Sequence, residues 1–318
     1  MSNPKYTFLL PAYKAKYFEE ALRSIKAQTL RDFRVLVSDD CSPEPLKPIF
    51  DRVCGDDPRF TFRRNTENMG SKSLVSHWNL LVDMCETEWL IMASDDDVYE
   101  PEFLEKMDEL QNKYPQVDLL HGRVREINER GETNKTDAEY ENLVPMIDFM
   151  QFRSMKGHIE CLANHAYRTS RLQEHHGFVE FPLAWHSDIA TNNYMALNGC
   201  ATTSQIVFSF RMSGKNISSQ FGNPQVSRKK VIATYAFDRW MQDFTEHALK
   251  ILKLSSEEKN VIVTEYKSIV RNNTESFIYH CRPLDFIKYL CQLPDGLHLC
   301  RLRMLAHYVN GRIKLQSC

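Results

Sequence analysis

Three consecutive carboxylates, Asp95, Asp96 and Asp97, follow an apolar run from Trp89 to Ala93. Five apolar residues make one buried strand and are too few for a helix, so the acids sit just past a strand end. At about 5 Å and an effective dielectric of about 20, each neighbouring carboxylate pair repels by about 3 kcal/mol. A cluster that is not fully solvated therefore calls for a cation. A hard divalent ion with oxygen ligands, Mg²⁺ or Mn²⁺, suits such donors and commonly shares its coordination sphere with a substrate phosphate. An isolated acidic triplet can equally be a solvated turn. A second acidic pair, Asp39 and Asp40, ends another apolar run over residues 33–38, and Pro11, Ala12 and Tyr13 break a first run over residues 5–10.

The elements that must position these groups alternate. Strands are expected over residues 5–10, 33–38, 59–63 and 89–93. Between them lie helices from about residue 17, over 45–53 and over 71–85, with another started by Pro101. Phe18, Leu22 and Ile25 recur at helical spacing, as do Leu74, Trp78, Leu81 and Cys85, and then Phe103, Leu104, Met107 and Leu110. This rhythm predicts an open, mainly parallel α/β sheet, whose ligands bind outside the carboxyl ends of the strands. Acids delivered to one rim by two separate strands are harder to explain as solvation than acids from one.

Composition bounds the alternatives. The 318 residues are 42% hydrophobic, enough for a sizeable core, and the formal charge of -2 gives no reason to expect nucleic-acid binding. Nine scattered cysteines without a C-x-x-C pair fit a reducing cytoplasm better than a disulfide framework or a zinc site. The start of the chain lacks the features of a signal peptide, and no apolar run reaches the length of a membrane span.

The segments F-L-L-P-A-Y-K, A-L-R-S-I-K-A-Q-T-L-R-D-F-R-V-L-V-S-D-D-C-S, N-T-E-N-M-G, W-N at 78 and 79, and E-W-L-I-M-A-S-D-D-D with Pro101 resemble the family 2 glycosyltransferases in order and spacing over about the first 110 residues. The resemblance implies a GT-A fold, a Rossmann-like open mixed sheet flanked by helices, here with a C-terminal helical extension. It implies a catalytic domain at 1–224, with a nucleotide-sugar half at 1–124 and an acceptor-side half at 125–224, and a helical region at 225–318. By the same resemblance Pro11, Ala12 and Tyr13 line the base and ribose pocket, and Asp40 accepts a hydrogen bond from a base N–H. An ionised carboxylate only accepts, so it can pair with uracil, thymine or guanine edges that donate. Asp95, Asp96 and Asp97 all fall on the family's D-x-D-type metal motif, one to hold the metal and a neighbour to contact the ribose, with the order of roles open and the metal role leaning on Asp96 and Asp97.

The chain departs from the family pattern at three places. Ala93 stands where many relatives begin the metal motif, Trp78 where most have Arg, and Ser213 where a weaker element carries His. Lys72 and Arg211 are candidates for phosphate charge, against the alternatives of a solvated lysine and a structural ion pair, and Arg211, Lys215 or water would stand in for the missing His.

Further along, a strand is expected over residues 117–124, a loop over 125–142 with Gly131 at a turn, and a loose strand over 157–167 that could aim His158, Glu160 and His165 into the cleft. Asp188 opens a helix running to about Leu197. The resemblance places there the acid that takes the acceptor hydroxyl's proton in inverting relatives; helix capping is the alternative. After Pro224 the spacing is helical, with Phe237, Trp240, Met241, Phe244, Ala248 and Ile251 on one helix and Ile262, Tyr266, Ile269 and Phe277 on the next. The last segment is basic and apolar, a pattern that fits a peripheral contact with an anionic membrane or packing on protein. The expected activity is transfer of a sugar from a nucleotide diphosphate sugar, UDP first, to a glycan or lipid-linked acceptor, as in polysaccharide biosynthesis. A non-catalytic GT-A relative that binds a nucleotide or partner is the other reading.

Overall fold

The computed structural model describes residues 4–316 except 160, 215–219, 221, 296 and 298–300, and leaves out the side chains of 153, 154 and 311–316. Glu160 and Lys215, both singled out in the sequence, lie outside the described residues. The chain divides into two compact units, one of Met1–Glu180 with Ser187–Gly214, the other of Phe181–His186 with Lys215–Cys318.

The first unit is built on a ten-stranded sheet. Its strands are β1 (Tyr6–Ala12), β2 (Phe33–Asp39), β3 (Phe60–Arg64), β4 (Trp89–Met92), β5 (Val98–Tyr99), β6 (Leu119–Ile127), β7 (Thr133–Thr136), β8 (Leu143–Val144), β9 (His165–Arg168) and β10 (Cys200–Arg211). The order is β3-β2-β1-β4-β9-β6-β10-β5, with β7 on β6 and β8 on β10. β3, β2, β1 and β4 run parallel, β9 is antiparallel to both its neighbours, and β10 is parallel to β6. The sheet is thus open, mixed and mainly parallel, as the alternation of elements predicts.

The helices here are α1 (Phe18–Lys26), α2 (Lys47–Cys54), α3 (Leu74–Asp83), α4 (Phe103–Lys113), α5 (Met146–Met150), α6 (Thr169–Glu174) and α7 (Ser187–Met195). α1 buries Phe18, Ala21, Leu22 and Ile25, and α4 buries Phe103, Leu104, Met107 and Leu110, the stripes read from spacing. Close approach of α4 to the sheet rests on Gly122, where a Cβ would meet Val207 at 2.8 Å and Phe103 at 3.0 Å. α3 differs from expectation. It buries Val75, His77, Leu81 and Val82, so the inward face is rotated and Trp78 is half-buried, edge-on to Phe178. The physical reason is polar: His77 turns inward to meet Ser38 Oγ at 2.9 Å.

Two further expectations are corrected. Residues 157–159 and 161–164 are loop and His165–Arg168 extends, because the Gly122 N–H is satisfied by the Asn164 carbonyl at 2.7 Å and the chain turns there. The stretch expected as loop carries the end of β6 and all of β7, with Gly131 at φ +82° in the turn between them. β10 runs as a long strand that starts with small and polar residues, Thr202 and Thr203 being buried and hydrogen-bonded.

The second unit contains α8 (Pro224–Leu252), α9 (Ser256–Ile278), α10 (Pro283–Cys291) and α11 (Arg301–Gln316). Asn223 caps α8 ahead of Pro224, and Ser255 with Glu258 forms a capping box on α9, satisfying the helices' first N–H groups. Phe237, Met241, Phe244 and Ala248 face Ile262, Tyr266, Val270 and Phe277; Ile251 is exposed and Val270 takes the inward place expected of Ile269.

Candidate functional site

The carboxyl ends of β1, β2 and β4 meet on one rim. Ala12 pairs with Asp39, the Asp40 N–H donates to the Ala12 carbonyl at 2.8 Å, and the Ala93 N–H donates to Leu9 at 2.8 Å. The chain leaving β1 therefore passes directly over the chain leaving β4. Asp95 fixes that crossing: its Oδ2 accepts the backbone N–H groups of Tyr13 and Lys14, both at 2.7 Å. Tyr13 is left 42% exposed, with a ring face available above the rim.

All three acids of the β4 turn are buried, with Asp97 2% exposed. Ser94 Oγ lies 2.8 Å from Asp96 Oδ1 and 2.7 Å from Asp97 Oδ2, so its single proton serves one carboxylate at a time. Burial, then the neighbouring charge of Asp96, pushes Asp97 up to about 7. Asp95 is also raised by burial, against the pull of Lys14. The Lys14 ammonium sits 3.4 Å from Asp95 Oδ1 and pairs with Asp96 Oδ2. Burial lowers the pKa of this lysine, but the two carboxylates outweigh it and hold it above its ordinary value. The cation that the acidic triplet demands is thus partly supplied by the chain itself. Sequence reasoning quoted Lys14 and gave it no role; its signal is position, one residue past the loop that crosses the acids.

Asp40 lies on the same rim, 4% exposed. Its Oδ1 accepts from Asn65 Nδ2 and the Met69 N–H, both at 2.9 Å, and its Oδ2 from the Gly70 N–H at 2.7 Å. The N-T-E-N-M-G segment is therefore folded around this carboxylate. Asp39 points elsewhere, bonded to the Ser42 N–H and to Arg64. His77, which sequence reasoning missed, lies behind Asp40 with Nδ1 at 3.7 Å, and burial lowers its pKa.

Arg211 is 1% exposed and faces the protein. Its N–H donates to Asp97 Oδ1 at 2.8 Å, Nε to the Asp96 carbonyl at 2.9 Å, and Nη2 lies 2.7 Å from Glu20, with the guanidinium over the Tyr17 ring. The residue clamps the acidic turn onto α1. Of the two readings of Arg211, the geometry is that of the ion pair. Lys72 is exposed and pairs with Glu67 at 2.7 Å, away from the Asp95–Asp97 turn.

Asp188 lies in the first turn of α7, half-buried, with Oδ1 accepting the Ile189 N–H at 2.9 Å. The buried Cys161 thiol is pushed well up by burial, then by the charge of Asp97, and also by that of Asp188. His158 and His165 do not line an open cleft. His165 is buried against His121 with ring centres 5.0 Å apart, and the half-buried His158 is engaged with Tyr140 and Asp137. A pocket lined by Cys85, Glu88, Arg168 and Gln173 opens at the amino end of β4 and contains none of these groups.

Hard carboxylate oxygens suit a divalent ion, and a buried acid raised to about 7 beside another carboxylate marks uncompensated negative charge. Among the described residues no three His, Cys, Asp or Glu side chains converge as a ready metal cage. The acids thus fit a cation that takes one or two protein carboxylates and completes its sphere with phosphate and water.

The sequence model of glycosyl transferase family 2 matches residues 7–175, more than half of the chain. The chain belongs to glycosyl transferase family 2. Over 134 residues it is 27% identical to an uncharacterized glycosyltransferase of Methanocaldococcus jannaschii, covering 41% of this chain and 45% of that protein; it thus spans about half the length of that relative. The fold is shared with S. aureus TarS residues 1–349, at TM-score 0.63 and 16% identity, covering 96% of this chain and 88% of the other. The same TarS region in complex with UDP-GlcNAc gives 0.59 at 18% identity, with the same coverage. A mannosyltransferase from Pyrobaculum calidifontis, in complex with GDP-Man and Mn²⁺, gives 0.50 at 14% identity, covering 98% and 87%. The fold of this family 2 chain is therefore GT-A, with helices following the sheet unit.

Proposed function

We propose that this family 2 chain transfers a sugar from a nucleotide diphosphate donor to a glycan or lipid-linked acceptor, with inversion at the anomeric carbon and with Mn²⁺ or Mg²⁺. The observation that carries this reading is the meeting of acidic groups from β2 and β4 beneath the crossing loop of β1. The named donors of the TarS and mannosyltransferase complexes support it.

Pro11, Ala12 and the exposed Tyr13 ring form the wall on which a base would stack. Asp40 favours the base. A carboxylate offers about four acceptor sites. Two on Oδ1 and one on Oδ2 are taken by protein donors, so one remains. One site matches the single ring N–H of uracil or thymine and falls short of guanine, which presents two adjacent donors. UDP is therefore ranked first and dTDP second.

Asp96 and Asp97 would hold the divalent ion, which supplies charge neutralisation for the departing diphosphate. Arg211 and Ser94 keep those carboxylates oriented. Asp95 holds the nucleotide loop through Tyr13 and Lys14, and the Lys14 ammonium would lend its charge to the donor phosphates beside a bound ion. Asp188 takes the acceptor proton, because a sugar hydroxyl is too weak a nucleophile unless deprotonated as the bond forms. In-line attack then inverts the anomeric centre. A cytoplasmic site and peripheral contact with a membrane fit a lipid-linked acceptor.

Thermal-shift screening against UDP, dTDP, GDP, CDP and ADP, each with Mn²⁺, Mg²⁺ or chelator, tests the donor and the metal. The expected result is stabilisation by UDP that chelator removes. Asp188→Asn should lower transfer or donor hydrolysis about a thousandfold and leave UDP binding within twofold. If activity survives in Asp188→Asn, another group is the base; if no nucleoside diphosphate binds, the reading fails.

A further inference from the structure

α10 and α11 are apolar on both faces. On α10, Phe286, Tyr289 and Leu290 are buried, while Leu284, Ile287 and Cys291 at i, i+3 and i+7 are exposed. α11 repeats the arrangement, with Met304 and Tyr308 buried and Leu302, Leu305 and Val309 exposed at the same spacing. The inward faces are locked together. Phe286 stacks on Tyr308 with ring centres 3.7 Å apart, and the Tyr308 hydroxyl donates to the Cys281 carbonyl at 3.2 Å. That locking leaves Leu284 83% and Leu302 82% exposed. Exposed apolar stripes of this size on the outer side of packed helices mark a surface that meets an apolar medium.

Charge selects the medium. The sequence of α11 contains no acid, and the one acid of α10, Asp285, is half-buried beside Arg228 at 3.4 Å. Arg282 and Lys288 are exposed next to the stripe of α10, and Arg303, paired with Glu275 at 2.6 Å, is exposed next to that of α11. A second copy docking through the same patch would set these like charges against one another, since a two-fold contact is self-facing. An anionic bilayer satisfies both features, burying the apolar stripe at the acyl boundary while the basic residues meet lipid headgroups. From this geometry we infer that the outer stripes of α10 and α11 form a docking surface for an anionic membrane. The inference deepens the reading of a lipid-linked acceptor by naming the residues that bring the protein to it.

Flotation with phosphatidylcholine vesicles, with and without phosphatidylglycerol, tests the surface on the full chain. The wild type should float only with the anionic vesicles, and added salt should weaken it. The pair Leu284→Ser with Leu302→Ser should weaken binding about tenfold or more, since each buried methylene contributes to partitioning. Arg282→Gln and Lys288→Gln should each cost about fivefold. All four positions are exposed, so the variants keep the wild-type melting temperature and its shift with UDP and Mn²⁺; that shift reports the nucleotide site separately. Equal binding by wild type and the serine pair overturns the inference, as does absence of flotation. A dimer in light scattering that the serine pair dissolves also overturns it, in favour of a second copy as occupant.

Discussion

Lys14 places a permanent positive charge where the acidic turn would otherwise repel itself, and the consequence is testable at this one residue. In Lys14→Met the three carboxylates lose their internal counter-charge. Discounted for the partial exposure of the lysine, the loss should be about 1–2 kcal/mol of stability without metal. Added Mn²⁺ should then raise the melting temperature of the variant more than that of the wild type. An equal rise in both would remove Lys14 from the site. Arg211 makes a different prediction. Because its guanidinium is buried among Glu20, the Asp96 carbonyl and Tyr17, Arg211→Met should cost about 2–4 kcal/mol and weaken UDP binding with Mn²⁺, as the turn loses its clamp. Lys72→Ala should leave that binding within twofold in calorimetry, since Lys72 is occupied at the surface with Glu67. At this scale the sequence displayed the acids well, because three adjacent carboxylates after an apolar run have few explanations. It could not display their partners. Which lysine or arginine reaches a carboxylate depends on where loops cross, and Lys14, Lys72 and Arg211 look alike in a string of letters.

Elements with strong periodicity were legible and those stabilised by polar burial were not. α1 and α4 carry one apolar stripe each and lie as their spacing demands. α3 is turned by His77, whose hydrogen bond to Ser38 outweighs the alternative of burying all of Trp78. β10 starts with small and polar residues that enter the sheet because the Thr202 hydroxyl donates to the Glu141 carbonyl and that of Thr203 to the Gln205 carbonyl, so alternation gives no signal. α8 hides a comparable polar residue. Lys230 is fully buried, its ammonium 4.1 Å from the Trp185 ring centre, 4.6 Å from that of Phe277 and 3.2 Å from the Gln220 carbonyl. Burial pushes its pKa down to about 8. Between about pH 8 and the ordinary lysine value near 10.4, the unfolded chain binds the proton that the folded chain has released, so this group's contribution to stability rises with pH. The gain is at most about 3 kcal/mol, less whatever the aromatic rings return to the charged form. Urea unfolding of wild type and Lys230→Met across that window should therefore show the wild type gaining on the variant as pH increases. A difference that stays constant with pH would place the lysine's charge in water.

For the whole molecule, the alternation of strands and helices announced the sheet because parallel strands require crossovers, and those crossovers repeat visibly in the first 110 residues. The partition of the chain was less legible. Pro224 marks the start of α8, but packing sends residues 181–186 to the helical unit and ends the sheet unit at Gly214. Chain order cannot reveal that six residues just before Asp188 pack with helices that come later. The partition makes a prediction of its own. If the donor is held by the rim of β1, β2 and β4, saturation should stabilise that unit through linkage by about 2.7 kcal/mol at a hundredfold excess over Kd. Hydrogen exchange with UDP and Mn²⁺ should slow at amides of β1, β4 and residues 94–97, and at Met69 and Gly70, whose N–H groups are held by Asp40. Amides in the middle of α8 and α9 should keep their rates, because their hydrogen bonds close within each helix and their apolar faces are packed on one another. Protection spread equally over both units would mean that the nucleotide stabilises the chain as one cooperative body, and the rim of the sheet could then no longer be singled out as the place where it binds.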